Sequence, residues 1–138
     1  MANSSVIWCD RGWMPYHYGF CPNKRSWDDE MKRLAIPERL PYPELYDGRC
    51  THFTNTHDHN ACSIVTIRPG NKSALEVISM LTHEAVHVWQ AMRDAIGETH
   101  PSSEFEAYSI QAISKNLIKA YEQGRCKLVL RGKKGRGF

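Results

Sequence analysis

The residue pattern with the clearest chemical meaning is His83-Glu84-Ala85-Val86-His87. Histidines four positions apart lie one turn apart on the same face of a helix, so both imidazoles can bind one metal ion. Glu84 projects away from them around the helix, where it can accept a proton from a metal-bound water. Because zinc lowers the pKa of such a water to about 7, the pattern predicts a hydrolytic Zn²⁺ site. His83 and His87 would be ligands and Glu84 the general base.

A catalytic zinc site needs a third protein ligand, and the following helix offers two glutamates. On a helical projection Glu106 falls on the apolar stripe of that helix, whereas Glu104 falls on its polar side. A carboxylate on a buried stripe is costly unless it is paired or bound to a metal, so Glu106 is the preferred ligand. Glu104 and His100 are alternatives, and Glu106 could instead be the capping-box partner of Ser103. Tyr108 and His100 are candidate donors for stabilising an oxyanion.

Two long helices must position these residues. Ser73 and Glu76 have the spacing of a capping box at the start of the first helix, and Gly97 is a natural stop. Apolar residues recur between them at the helical period. Pro101-Ser102-Ser103 opens the second helix, which should run to about Gln123.

The remaining elements are predicted to be short. Residues 1–25 are rich in aromatics, glycine and proline and indicate irregular chain, followed by a short helix over Ser26–Leu34 with its first residue as N-cap. The β-branched segment Cys62–Arg68 and the weaker Cys50–Thr54 predict an antiparallel hairpin. Lys127–Leu130 could form a final strand.

The chain has five cysteines and no CxxC pair, which argues against a structural zinc site and suits a reducing compartment. Cys50 and Cys62 could lie opposite each other across the hairpin. With His52, His57 and His59 nearby, a second metal site could form there. Buried free thiols and exposed loop histidines are the simpler interpretation.

Length and charge limit the class of protein. The 138 residues predict a single domain over 1–130 and a basic tail over 131–138, with four cations and no acid. The tail could contact nucleic acid weakly, although such segments usually only stay solvated. No apolar run could cross a bilayer and no secretory signal is evident, so we expect a cytoplasmic protein without membrane contact. For a chain encoded by a phage, the location would be the bacterial host cytoplasm or the virion.

The segment from Leu81 to Gln90 resembles the active-site helix of short HExxH proteins that phage and prophage genomes encode. Glu106 follows His87 after eighteen intervening residues, which resembles the spacing in the glutamate-ligand zincin metallopeptidases (gluzincins). Glu106-Ala-Tyr-Ser109 is similar to the thermolysin-like pattern, although Ile110 stands where an acidic residue is common. A more distant resemblance is to the SprT-like DNA-associated proteases, whose third ligand is a histidine.

The resemblance covers roughly residues 60–121 and implies an α+β, zincin-like fold: a small mixed sheet with two zinc-bearing helices. It places Cys62–Arg68 at the sheet edge beside the cleft, where an extended polypeptide substrate could add to the sheet. The implied activity is zinc-dependent hydrolysis of peptide bonds. The alternatives are a catalytically silent zincin-fold binding or structural protein, such as a phage component, and a SprT-like protease.

Overall fold

A mixed sheet carries the candidate site on one of its faces. The structure is a computed structural model that describes residues 5–36, 38 and 40–130. Within that part of the chain the fold is α+β, with three helices and one four-stranded sheet of order β1-β2-β4-β3. The elements are β1 Ile7–Trp8, β2 His17–Cys21, α1 Lys24–Arg33, β3 Gly48–Thr54, β4 Ala61–Ile67, α2 Ala74–Ala95 and α3 Ser103–Gly124.

The predicted hairpin is confirmed, but its register differs from the expected one. Cys50 pairs with Val65 and Phe53 pairs with Cys62. Asn55 N–H donates to Asn60 O at 2.7 Å and closes the turn between the two strands. Because successive side chains of a strand point to opposite faces of the sheet, this register places Cys50 and Cys62 on opposite faces. The expectation that they lie opposite each other is wrong.

The position of β4 in the sheet also differs from the prediction. β2 pairs with β4 in parallel, so β4 is an interior strand and β3 is the edge strand on that side. The expectation of irregular chain before residue 25 is therefore wrong for His17–Cys21, which forms β2. The expectation that Cys62–Arg68 lies at the edge of the sheet is also wrong. The partner of β2 is distant in sequence, and no local turn signals the pairing.

Helix ends follow their capping residues. Asn23 caps α1 by accepting from Ser26 N–H at 2.8 Å, so the helix starts earlier than predicted. The capping box at Ser73 is confirmed, and Gly97 follows the end of α2 with a φ of 73°. Ser102 rather than Ser103 caps α3, which removes the capping-box role considered for Glu106. The predicted strand at 127–130 is not formed.

Helices α2 and α3 pack side by side on one face of the sheet, and α1 packs on the other. The predicted core positions Leu81, Val88 and Met92 of α2 are buried against the sheet. In α3, Ile113 and Leu117 are buried as predicted. None of the helices in the described ranges has the length and apolarity needed to cross a membrane. The basic tail over 131–138 lies outside the described residues.

Candidate metal centre

His83 and His87 converge on one point beside α2. Both side chains are exposed, and their Nε2 atoms are 3.2 Å apart. Two imidazole nitrogens on a tetrahedral zinc, each about 2.0–2.1 Å from the ion, are about 3.3–3.4 Å from each other. The pair therefore already has the spacing that a shared zinc ion requires.

Gln90 fixes the orientation of the second histidine. Its Oε1 accepts a hydrogen bond from His87 Nδ1–H at 3.0 Å. With the proton on Nδ1, the Nε2 lone pair of His87 is free on the side facing His83. Metal-binding histidines commonly have such an outer partner, which sets both tautomer and ring direction. Gln90 has no predicted role in the sequence, although its position three residues after His87 places it on the same helix face.

Glu84 is buried between α2 and the edge strand. Its side chain is only 5% exposed, and it forms no hydrogen bond with any other described residue. Burial raises the pKa of Glu84, while the charges of His83, His87 and Arg49 act in the opposite direction. A buried carboxylate with a raised pKa beside a candidate metal site is typical of a general base.

An open cleft of about 370 Å³ gives access to Glu84. It is lined by Asp47, Gly48, Ser79, Met80, His83 and Glu84. An added Cβ at Gly48 would lie 3.2 Å from Glu84 Oε1 and 3.3 Å from Ile67 Cδ1. Because Gly48 has no side chain, the Glu84 carboxylate can occupy the space beside β3.

Alternate residues of β3 face α2 on this side of the sheet. Gly48 and Cys50 lie near Glu84, and His52 follows on the same face. Burial lowers the pKa of His52, and the charge of nearby His87 lowers it further. Burial raises the pKa of Cys50 to about 12, so this thiol is protonated at neutral pH and is not a nucleophile.

A hydroxyl pair holds the His52 ring. His52 Nδ1 lies 2.6 Å from Ser63 Oγ, and Ser63 Oγ lies 2.6 Å from the Tyr16 hydroxyl. In the sequence, His52 is a candidate only for a second metal site with the cysteines. His57 and His59, the other histidines of that hypothesis, are exposed in the β3–β4 turn.

Glu106 lies on a different side of α2 from the histidine pair. Its Oε2 accepts a hydrogen bond from Trp89 Nε1 at 2.9 Å and is 3.7 Å from Arg93 Nη1. Among residues 5–36, 38 and 40–130, no group of three or more His, Cys, Asp or Glu side chains is arranged to hold a metal ion. The structure thus brings His83, Glu84 and His87 together without Glu106, whose ligand role stays a prediction.

The alternative residues lie at the exposed start of α3 or just before it. Glu104 is exposed, as its position on the polar side predicted. His100 Nδ1 is 3.1 Å from Thr99 Oγ1 in the loop before α3. Tyr108 is 67% exposed. None of these three side chains lines the cleft beside Glu84.

Comparison with known proteins identifies no relative of this chain. No protein-family model matches the chain, and no curated protein and no solved structure is significantly similar to it.

Proposed function

We propose that this chain is a zinc-dependent metallopeptidase with a zincin-like arrangement, in which His83 and His87 hold the metal and Glu84 is the general base. The observation that carries the proposal is the convergence of two Nε2 atoms, 3.2 Å apart, beside a carboxylate that is 5% exposed. Glu84 lines the same open cleft as His83, so its carboxylate is accessible to a water molecule beside the histidine pair.

The chemistry divides between the metal and the protein. Zinc, when bound to the two histidines, would supply Lewis acidity toward water and toward a carbonyl group. Glu84 takes a proton from the attacking water and later passes it to the departing amine. Its raised pKa favours this exchange, because the group must both accept and release a proton near neutral pH.

A polypeptide is the substrate class that the architecture supports best. β3 is an edge strand with β4 as its partner, and its Gly48 end lines the cleft beside Glu84. An extended peptide could pair with the free edge of β3 and bring a scissile bond to the cleft. Cys62–Arg68, the segment expected to have this role, lies in the interior of the sheet and has no free edge.

Glu106, the predicted third ligand, contacts Trp89 and Arg93 rather than the histidine pair. For Glu106 to reach the histidine pair, it would have to leave both Trp89 and Arg93. This placement favours a second candidate function, a zinc-binding protein that does not hydrolyse peptides. The two functions separate cleanly, since the second predicts bound zinc and no turnover.

The decisive variant is Glu84→Gln, which keeps the shape of the side chain and removes the base. We expect zinc to stay bound and peptide hydrolysis to fall by about 10²–10⁴-fold, the usual contribution of general acid–base catalysis. The readouts are zinc content and cleavage of casein or a peptide library. Glu98→Gln, which changes an exposed glutamate in the loop after α2, is the matched control. Equal hydrolysis by Glu84→Gln and the parent would contradict the mechanism.

A further inference from the structure

An open groove runs between α2 and α3 on the solvent side of the helix pair. Its volume is about 670 Å³, and its lining is mostly apolar. Ala107, Ile110 and Ile118 of α3 and Thr82 of α2 lie along it. The Thr82 hydroxyl donates to Ile78 O at 2.9 Å within α2, so this hydroxyl is already paired. The groove therefore presents mainly carbon atoms to the solvent.

The length and the open side of the groove suit an elongated partner. From Ala107 to Lys119 the helix rises about 18 Å, or roughly three turns. Sites for small molecules are usually concave enough to enclose most of the ligand, whereas a small ligand in this open groove would stay largely in water. A partner helix of about 12 residues would cover the whole length.

Two exposed side chains extend the apolar surface beyond the groove. Tyr108 and Leu75 are each 67% exposed. Residues seven positions apart lie on one helix face, so Tyr108 shares a face of α3 with Lys115, and Leu75 shares a face of α2 with Thr82. Apolar side chains that are exposed together, rather than singly, are typical of interaction surfaces.

Two lysines give the groove a positive charge. Lys115 and Lys119 lie one turn apart on α3, and both line the groove. Within the described ranges neither lysine forms an ion pair, and no acidic side chain lines the groove. Glu122, the next acid along α3, accepts from Leu128 N–H at 3.0 Å instead. The described part of the chain leaves this charge unbalanced, which favours an acidic partner.

The same charge argues against an occupant from this chain. The tail over 131–138 has four cations and no acid, so Lys115 and Lys119 would repel it. Two copies that met through this groove would bring their lysines together, and like charges placed opposite each other weaken an interface. An anionic membrane would match the charge, but membrane contact needs protruding apolar side chains, and Ile110 and Ile118 are half-buried.

We propose that the groove between α2 and α3 is a docking site for an amphipathic helix of another protein, with aliphatic residues on one face and acidic residues beside them. The aliphatic residues pack along Ala107, Ile110 and Ile118, and the acids lie within reach of Lys115 and Lys119. Burial of the apolar floor supplies affinity, and the lysines determine orientation and choice of partner. The inference depends neither on the metal centre nor on the peptidase proposal.

The first test is a selection from a displayed library of helical peptides about 14 residues long, with the full chain as the target. Each peptide has leucines along one helix face, and its other positions are randomised between Glu, Lys and Gln. We expect binders to be enriched, with Glu preferred over Lys beside the leucines. A selection that enriches no peptide, or that shows no preference for Glu, overturns the proposal.

The second test reverses the charge of the groove. A chain with Lys115→Glu and Lys119→Glu should prefer Lys-containing peptides. It should bind the best parental peptide about fivefold more weakly or worse, because two ion pairs become repulsive contacts. A chain with Arg25→Glu and Lys32→Glu, both exposed on α1, has the same net charge and should bind like the parent. An unchanged preference after reversal in the groove, or an equal loss in both chains, overturns the proposal.

The third test locates the binding surface. Ala107 is exposed and lines the groove, so Ala107→Arg should obstruct it and lower peptide affinity by about 10-fold or more, with the melting temperature unchanged. Ala112→Arg, exposed on α3 outside the groove lining, is the matched control and should bind like the parent. Parental affinity in Ala107→Arg overturns the proposal.

Sedimentation experiments distinguish the other occupants. We expect a monomeric parent that does not sediment with phosphatidylserine vesicles. A parental dimer that Ala107→Arg converts to a monomer would assign the groove to a second copy of the chain. Vesicle binding that is lost after Lys115→Glu and Lys119→Glu would assign it to a membrane surface. Either result overturns the proposal.

Discussion

Two polar clusters flank helix α2, and they differ in what their hydrogen-bonding groups do. On the side facing β3, two imidazoles converge and Glu84 is buried without a hydrogen bond to any described residue. On the side facing α3, Glu106 is bound to Trp89 and Arg93. The second cluster joins two helices, whereas the histidines of the first contact only residues of α2 itself and line its exposed side. An imidazole pair with metal-ligand spacing beside an acid whose pKa is raised is the kind of arrangement found at functional sites.

The largest difference between the clusters should appear when the outer partner of His87 is removed. Gln90→Leu removes the acceptor of the Nδ1–H bond and releases the ring. We expect zinc affinity to fall by about 10-fold or more, as for other outer-shell partners of metal-binding histidines. Competition with a chelating dye measures this change. Gln111→Leu, on the exposed surface of α3, should bind zinc like the parent.

The α3-facing cluster should respond in stability instead. Glu106→Ala leaves the buried Trp89 indole N–H without an acceptor, so the free energy of unfolding should fall by about 1–2 kcal/mol. Zinc affinity should not change, and Glu104→Ala should alter neither quantity. Urea unfolding and zinc titration of both variants provide the measurements. Lost zinc affinity in Glu106→Ala but not in Glu104→Ala would support the prediction that Glu106 is the third ligand.

The smallest expected effect is a gain in stability at the β3-facing cluster. Because burial raises the pKa of Glu84, its stabilising contribution is largest at acidic pH and is lost as pH rises through the folded-state pKa. At pH 7, the free energy of unfolding of metal-free Glu84→Gln should therefore be about 1 kcal/mol higher than that of the parent. A gain of this size is common when a functional-site residue is replaced by one that suits the fold better. The difference should shrink as pH is lowered. A less stable Gln variant at pH 7 would mean that Glu84 is paired rather than unpaired.

The sequence predicted the features that depend on neighbouring residues. The capping box at Ser73, the glycine stop at Gly97 and the apolar stripe of α2 each rest on contacts within a few positions. The His83–His87 pair belongs to the same class, since helix geometry alone places both rings on one face.

The features that the sequence did not predict depend on distant pairings. β2 joins β4 in parallel far along the chain, which moves the cleft edge from β4 to β3. The same pairing brings Tyr16, just before β2, within hydrogen-bond distance of Ser63 on β4 and so next to His52. The helical projection placed Glu106 on the buried apolar stripe of α3, whereas its side chain is 41% exposed and meets Trp89 and Arg93 of α2, a contact that the projection of one helix cannot show.

The most direct measurement is a zinc titration of the purified metal-free chain, with metal content confirmed by elemental analysis. We expect about one zinc per chain for the parent and for His57→Ala, and no tightly bound zinc for His83→Ala or His87→Ala. A parent chain that takes up no zinc, or a His87→Ala variant that binds as tightly as the parent, would contradict the account.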